Sequence, residues 1–497
     1  MMTVRFAFLL LPLVGTVPAA ARQQATRSIR TENKAVRLPN GDSLRYSIGF
    51  LTVPENRRDP KSRLIEVAFL RLPATGGASG PPLIYLAGGP GNTAVTENPG
   101  ALAGWTPERA VGDVILLDQR GTGRSRPNLI YRWTGPLPLQ RFLDADHALA
   151  AIRQIAGDAA RHFRDEGVDL AGYTTEQSAD DVDDLRAALG ADRMNLVGFS
   201  YGTHLALAVI RRHGSRVNRA VLTGVEGPDH TEKLPVYLDT QWRKLCLMAA
   251  ADSAIAARIP DLDALLRRVL ARLEREPMVV TLTDPRTREP LQVPVGPHGL
   301  LLILRADIGD ASDLPVFPRL LYSIDRGDPA LLTWFVTKRS GLGWSSMTAM
   351  MDAASGASPA RKRMIADQQA VSLFADAANF PGTAAETGLA VPDLEPDYRS
   401  PVVSPVPVLF LSGTLDWNAP PFQAEEVRFG FPNSSHIVVR NAGHEQIMSH
   451  PAVIAAARRF LAGASVDDAT ASLPPLRFVP VEGYDPGRTH PSVPRPR

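Results

Sequence analysis

Cysteine is almost missing from this chain: Cys246 is the only one in 497 residues. No internal disulfide can form, so the fold has to stand on its own core. Cys246 itself lies in the apolar helical stretch Trp242–Met248, which predicts a buried, inert thiol. An excess of charge of either sign is also missing. The net charge of +2 implies neither a nucleic-acid partner nor a charged membrane surface. No pair of histidines has the HExxH or any other metal-ligand spacing, so no metal and no cofactor is expected. No internal repeat is present, and past the N-terminal region no apolar run is long enough to cross a bilayer. What is there is ordinary for a soluble globular protein, 44% hydrophobic and 21% charged. The length allows about three domains, although α/β folds often run longer as one unit.

Arg5, the uncharged run Phe6–Val17 and then Ala19-Ala20-Ala21 have the layout of a secretory signal peptide. The expectation is a signal over 1–21, cleaved near Ala21, and an exported protein, periplasmic or extracellular. No cysteine follows the apolar run, so no lipoprotein anchor is expected.

The chemistry is concentrated in Gly198-Phe199-Ser200-Tyr201-Gly202. A strand-like run, Met194–Val197, precedes it and a helix-like run, Thr203–Ile210, follows. G-x-S-x-G between a strand and a helix is the setting of a nucleophile elbow, in which a sharp turn lifts the serine oxygen clear of the sheet. A serine hydroxyl needs a base, and the base needs an orienting acid. The C-terminal third supplies both in the order Ser, Asp, His. Asp416 follows the strand-like Val406–Leu411, and His444 follows the strand-like His436–Val439. Both lie just past strand C-termini, where ligands meet a parallel sheet. The helix expected between them covers about 422–430. Of the other histidines, His204 falls one helical turn past Ser200 and reads as structural. His450 opens the final helix, and His147, His162 and His213 read as solvated.

A third element is Pro82–Ala87, a strand ending in Gly88-Gly89-Pro90-Gly91. A glycine-rich loop here lets backbone N–H groups face a developing oxyanion. The pair expected is the N–H of Gly89 and the N–H of Tyr201, since Pro90 has none to give.

Gly88-Gly89-Pro90-Gly91, Asp118-Gln119-Arg120-Gly121-Thr122-Gly123-Arg124-Ser125 and Gly198–Thr203 together resemble the prolyl aminopeptidases and their tripeptidyl-aminopeptidase-like (TAP-like) relatives. Those are serine peptidases of the α/β-hydrolase fold. Gly49–Arg57 is similar to the opening segment of the secreted, TAP-like branch. The resemblance covers about 45–465 and implies a triad of Ser200, Asp416 and His444. Two departures stand out. Ala87 occupies the place where prolyl aminopeptidases usually carry His, which weakens a strictly proline-specific reading. Ile48 stands where secreted relatives often carry Cys.

The expected fold class is therefore α/β, an α/β-hydrolase with a mostly parallel sheet and a large, mainly helical cap. Its first core part is expected over 36–227 and the cap over 228–405, a span too long for a loop. The second core part follows over 406–465, and a Pro-rich tail, surface-wrapped or loose, over 466–497. Within the cap, leucines at three- and four-residue steps from Leu262 to Leu273, behind Asp261 as N-cap, predict a helix. Val279–Leu282 and Leu291–Val295 predict a hairpin. Asp180, Asp181, Asp183 and Asp184 read as a solvated face near a helix N-terminus. Asp118 and Arg120 read as supports of the glycine loop.

Three functions remain open on sequence: a serine exopeptidase working from a free N-terminus, a carboxylic-ester hydrolase with the same triad, and a binding protein with a relic pocket. The intact triad argues against the last, and the resemblance favours the first. The partners expected are short peptide substrates, with no nucleic acid and no membrane anchor; the sequence leaves the oligomeric state open. A reader of N-termini needs a carboxylate for the ammonium, as acidic cap residues supply in prolyl aminopeptidases. Glu226, at the sheet edge where the cap begins, and Asp352, within the cap, are the two candidates.

Overall fold

The computed structural model describes residues 27–77, 80–308, 312–340, 343–381, 389 and 391–483. The expected signal peptide, 1–21, lies outside the described residues, as does the end of the tail.

Among the described residues ten strands form one sheet: β1 (Ile29–Arg37), β2 (Ser43–Pro54), β3 (Leu64–Leu72), β4 (Gly80–Leu86), β5 (Gly112–Leu117), β6 (Met194–Phe199), β7 (Val217–Thr223), β8 (Val408–Gly413), β9 (Ser434–Arg440) and β10 (Ala469–Ser472). Their spatial order is β1-β2-β3-β5-β4-β6-β7-β8-β9-β10. β1 through β3 and then β5 pair antiparallel, and every pairing from β5/β4 to β9/β10 is parallel. The central strands read as near-continuous apolar runs because both faces are covered. β8, Val-Leu-Phe-Leu-Ser-Gly, is buried at all of its positions.

On one face pack the helices Ala145–Asp165, Thr175–Ala188 and Tyr201–His213. On the other pack Pro99–Trp105 and Pro451–Leu461. Between β7 and β8 the chain leaves the sheet. There it forms the helices Pro235–Ala251, Leu262–Arg275, Pro297–Asp307, Phe317–Asp325, Ala330–Lys338, Ser346–Ser355 and Pro359–Gln369, and a hairpin of Met278–Thr283 with Pro290–Val295. Most of them enclose a hydrophobic cluster of their own, built on Leu266, Val269, Phe317, Phe335 and their neighbours. The Asp261 carboxylate accepts from the Ala264 N–H, so the helix begins where the N-cap residue sets it.

Three expectations are corrected. The tail is not separate from the sheet: residues 469–472 add β10 beside β9. Further on, Val481 is buried and the Val479 N–H donates to the Pro315 carbonyl at 3.2 Å. The acidic run is not a solvated face either. Thr174 caps that helix, so the acids fall in its second and third turns, within reach of neighbouring arginines. Asp181 is buried against Arg120 and Arg57, and Asp180 pairs with Arg212 and His213. Arg120, finally, does not hold the glycine loop. It is fully buried, donates twice to Asp181 at 2.7 Å, and reaches the carbonyls of Pro54, Glu55 and Gly172. Asp118 does support that loop's continuation, accepting from Thr93 Oγ1 at 2.7 Å and from the N–H groups of Ala94, Val95 and Arg124.

Candidate active site

Ser200 sits in the turn between β6 and the helix Tyr201–His213 with φ 53° and ψ −126°. This backbone is costly for a residue with a side chain and persists where the surroundings over-determine it. Here the Ser200 N–H donates to the Thr223 carbonyl on β7 at 2.9 Å, and its own carbonyl accepts from the Thr203 N–H at 2.8 Å. The close approach of strand and helix explains the glycine two residues on. A Cβ at Gly202 would lie 2.0 Å from the Leu86 carbonyl oxygen.

Asp416 follows β8 and His444 follows β9, each just beyond its strand's C-terminus. Both are buried. His444 Nδ1 donates to Asp416 Oδ2 at 2.7 Å, while Asp416 Oδ1 accepts from the Ala419 N–H at 3.0 Å. An ionised carboxylate only accepts, so the proton sits on Nδ1 and Nε2 keeps its lone pair. Burial pushes the imidazole pKa down. The charge and hydrogen bond of Asp416, with Glu445, outweigh it and leave the pKa above its ordinary value of 6.5. The Phe199 ring packs on the imidazole at 5.0 Å.

Ser200 and His444 line one cavity of about 590 Å³ with Gly89, Glu226 and Asp352, residues that the sequence had singled out. Tyr201 N–H belongs to the first helical turn, where no intrahelical carbonyl satisfies it. The glycine loop lies against Ser200, with a Cβ at Gly88 falling 3.0 Å from Ser200 Cβ. Thr348 Oγ1 of the helix Ser346–Ser355 donates to the Pro90 carbonyl at 2.5 Å and ties the inserted segment to the loop.

The two candidate carboxylates differ. Glu226 follows β7, and its N–H donates to Thr203 Oγ1 at 2.7 Å. Its Oε2 is paired with Lys233 Nζ at 2.6 Å. Burial raises the Glu226 pKa, but Lys233 and His204 more than offset this and hold it below the usual carboxylate range. Asp352 is half-buried, and among the described residues its carboxylate has no hydrogen-bond or ion-pair partner. Burial first, and then Glu226, push its pKa up to about 8, against the pull of Lys233 and Arg305.

His204 is structural, as expected, and more connected than expected. Its Nδ1 donates to the Gly227 carbonyl at 3.0 Å, and its Nε2 accepts from Tyr398 Oη at 2.6 Å. Burial lowers its pKa, so the ring is held neutral. Cys246 is half-buried with its thiol pushed up to about 12 by burial and then by Asp263 and Asp261.

Among the cavity residues that escaped the sequence reading are Lys233 and Arg305. Lys233 carries no motif or periodic signal. Arg305 did carry one: it ends the apolar run Leu300-Leu301-Leu302-Ile303-Leu304, where a lone cation needs a reason.

The alpha/beta hydrolase fold profile matches residues 81–289, which include the glycine loop and the elbow. The chain has the α/β-hydrolase fold. A second profile, TAP-like protein, matches residues 387–472 of this hydrolase, which carry Asp416 and His444. Over 212 residues the hydrolase is 29% identical to serine protease Hip1 of Mycobacterium tuberculosis, covering 40% of this chain and 39% of that protein. It is 31% identical over 197 residues to tripeptidyl aminopeptidase of Streptomyces lividans, 36% of this chain and 35% of that protein. It is also 28% identical over 215 residues to proline iminopeptidase of Aeromonas sobria, 43% of each. The matched stretch spans about two fifths of the length of these curated relatives. Among the described residues of the hydrolase, no helix is long and apolar enough to cross a membrane.

Proposed function

We propose that this hydrolase is an exported serine exopeptidase, an aminopeptidase that cleaves short peptides from a free N-terminus. The relatives named serine protease, tripeptidyl aminopeptidase and proline iminopeptidase support peptide hydrolysis. The single observation that carries the free N-terminus is Asp352, an unpaired carboxylate in the same cavity as Ser200 and His444. It takes precedence over Glu226, whose charge Lys233 already neutralises.

In the proposed reaction Ser200 Oγ adds to the scissile carbonyl carbon and its proton passes to His444 Nε2. Asp416 holds the ring in the required tautomer and stabilises the imidazolium. The oxyanion is received by the N–H groups of Gly89 and Tyr201, each such donor being worth about 10²–10³ in rate. The intermediate collapses as Nε2 gives its proton to the leaving amine. Water, deprotonated by the same nitrogen, then releases the acyl group. The inserted segment acts as a cap that limits substrate length. A free α-amine, with a pKa of about 7.7–8.0, is cationic at neutral pH and pairs with Asp352, drawing that carboxylate into its ionised form.

The test compares tripeptidyl anilides with free and acetylated amines beside a small ester. The proposal expects acetylation to remove most of kcat/KM. Equal rates on free and acetylated peptides would replace the exopeptidase by an endopeptidase. Turnover of the ester alone would leave a carboxylic-ester hydrolase.

A further inference from the structure

The cavity wall also holds a cation that nothing in the reaction above uses. Arg305 lies near the end of the helix Pro297–Asp307, behind Leu300, Ile303 and Leu304, which are all buried. Its guanidinium sits over the Trp417 ring at 5.6 Å, one residue from the triad's Asp416. Its Nε donates to the Ala378 carbonyl at 3.2 Å. That occupies one of five N–H donors in a group that stays charged in proteins. Among the described residues no carboxylate is ion-paired with it, and the Nε bond is the only hydrogen bond its guanidinium makes. Burial, and then Arg339, lower its pKa to about 10, against the pull of Asp352.

Asp352 is its counterpart, a carboxyl group without a partner on the helix Ser346–Ser355, which becomes an anion when an ammonium binds. Lys233 and Glu226 cancel each other at 2.6 Å. Arg305 and Asp352 line the same cavity but form no ion pair. The guanidinium and the carboxyl group sit on different helices, Pro297–Asp307 and Ser346–Ser355, and neither serves as the other's partner. A ligand bearing an ammonium and a carboxylate satisfies both at once, and a planar guanidinium with its end free suits a carboxylate in bidentate geometry. An extended peptide separates its ends by about 3.3–3.6 Å per residue, so its length selects which carboxylate arrives.

Resting on the exopeptidase reading, we propose that Arg305 is the receptor for a substrate carboxylate, either the C-terminal carboxylate of a short peptide or an acidic side chain. The enzyme then reads its peptide at two charges of opposite sign, one on either side of the bond cut or both near it.

The test uses the full chain and three substrates: trialanine, trialanine amide, and the amide of Ala-Ala-Glu. A carboxylate-free alanyl anilide reports the exopeptidase reading separately. Trialanine should exceed its amide in kcat/KM by about 10- to 100-fold, the worth of a hydrogen bond to a charged group. An advantage of Ala-Ala-Glu amide over trialanine amide identifies the side chain as the source instead. In Arg305→Gln the advantage should fall to near one, and in Arg305→Lys it should be intermediate. Because the readout is a ratio of substrates on one variant, a loosened fold does not imitate it. Turnover of the anilide with neither carboxylate preferred, or a preference that survives in Arg305→Gln, overturns the inference alone. Failure to cleave any free-amine substrate, anilide included, while a simple ester is turned over, overturns the exopeptidase reading and this inference with it.

Discussion

Replacing Asp352 by Asn should make the protein more stable and less active, and the gain should depend on pH in a set direction. An exposed Asp titrates near 3.9, whereas burial and Glu226 bring Asp352 to about 8. Between those values the folded state holds a proton that the unfolded state has lost. Stability therefore falls as pH rises through that window and is lowest above it. At about 1.4 kcal/mol per pH unit the ceiling is near 5–6 kcal/mol. Asp352 is only half-buried on the cavity wall, so solvent screening lowers this, and a gain on the order of 2–3 kcal/mol at pH 9 is the working figure. The gain at pH 9 should be roughly two to four times that at pH 5. Thermal melts of wild type and Asp352→Asn at both pH values measure it, with a rise of a few degrees expected at pH 9. In parallel, kcat/KM on free-amine anilides should drop while a small ester is spared. An Asn variant that is equally stabilised at pH 5 and pH 9, or destabilised at both, would refute the reasoning.

Gly224 has φ +62°, and a Cβ there would lie 2.8 Å from His444 Cε1. Gly224→Ala should cost about 1–2 kcal/mol in backbone strain and slow fluorophosphonate labelling of Ser200 by about 10²-fold through displacement of the imidazole; labelling at the wild-type rate would argue against the assigned base. Lys233→Met leaves Glu226 buried without its partner and should cost about 3–5 kcal/mol, most of it recovered in the double variant with Glu226→Gln, as urea denaturation will measure. With a neutral ester as substrate, the acid limb of kcat/KM should fall above pH 6.5, because Asp416 raises His444. Asp416→Asn should move that limb down and cut the rate by about 10⁴, and a limb that does not move would remove Asp416 from the orienting role.

The parts of this molecule that could be read from the sequence are those fixed by local rules. A strand, a G-x-S-x-G turn and a helix stand together in the chain, so the elbow at Ser200 needs no distant information. Asp416 and His444 were recoverable because each follows an apolar strand, and the parallel order of β8 and β9 brings their ends to one place. The acidic run from Asp180 to Asp184 was misread because its partners, Arg57, Arg120 and Arg212, are remote in sequence. The choice between Glu226 and Asp352 was undecidable for the same reason: it turns on Lys233, whose pairing is a contact and not a pattern. β10 was overlooked because a four-residue strand of Ala, Thr, Ala and Ser carries no hydrophobic signal; the edge it covers does the selecting.

Arg120 changes what the motif Asp118–Ser125 signifies. Its side chain fastens β2's end, the Gly172 turn and the helix Thr175–Ala188 to one buried point, and no atom of it lines the catalytic cavity. The stretch most useful for recognising the chain is therefore a fastening, while the proposed chemistry rests on Ser200, Asp416 and His444, far apart in the chain. A protein could carry the fastening without the triad and still be recruited to the same kinship. Sorting working enzymes from silent ones in such a group means inspecting those three positions, because the signature reports how the chain is bolted together and not whether it reacts.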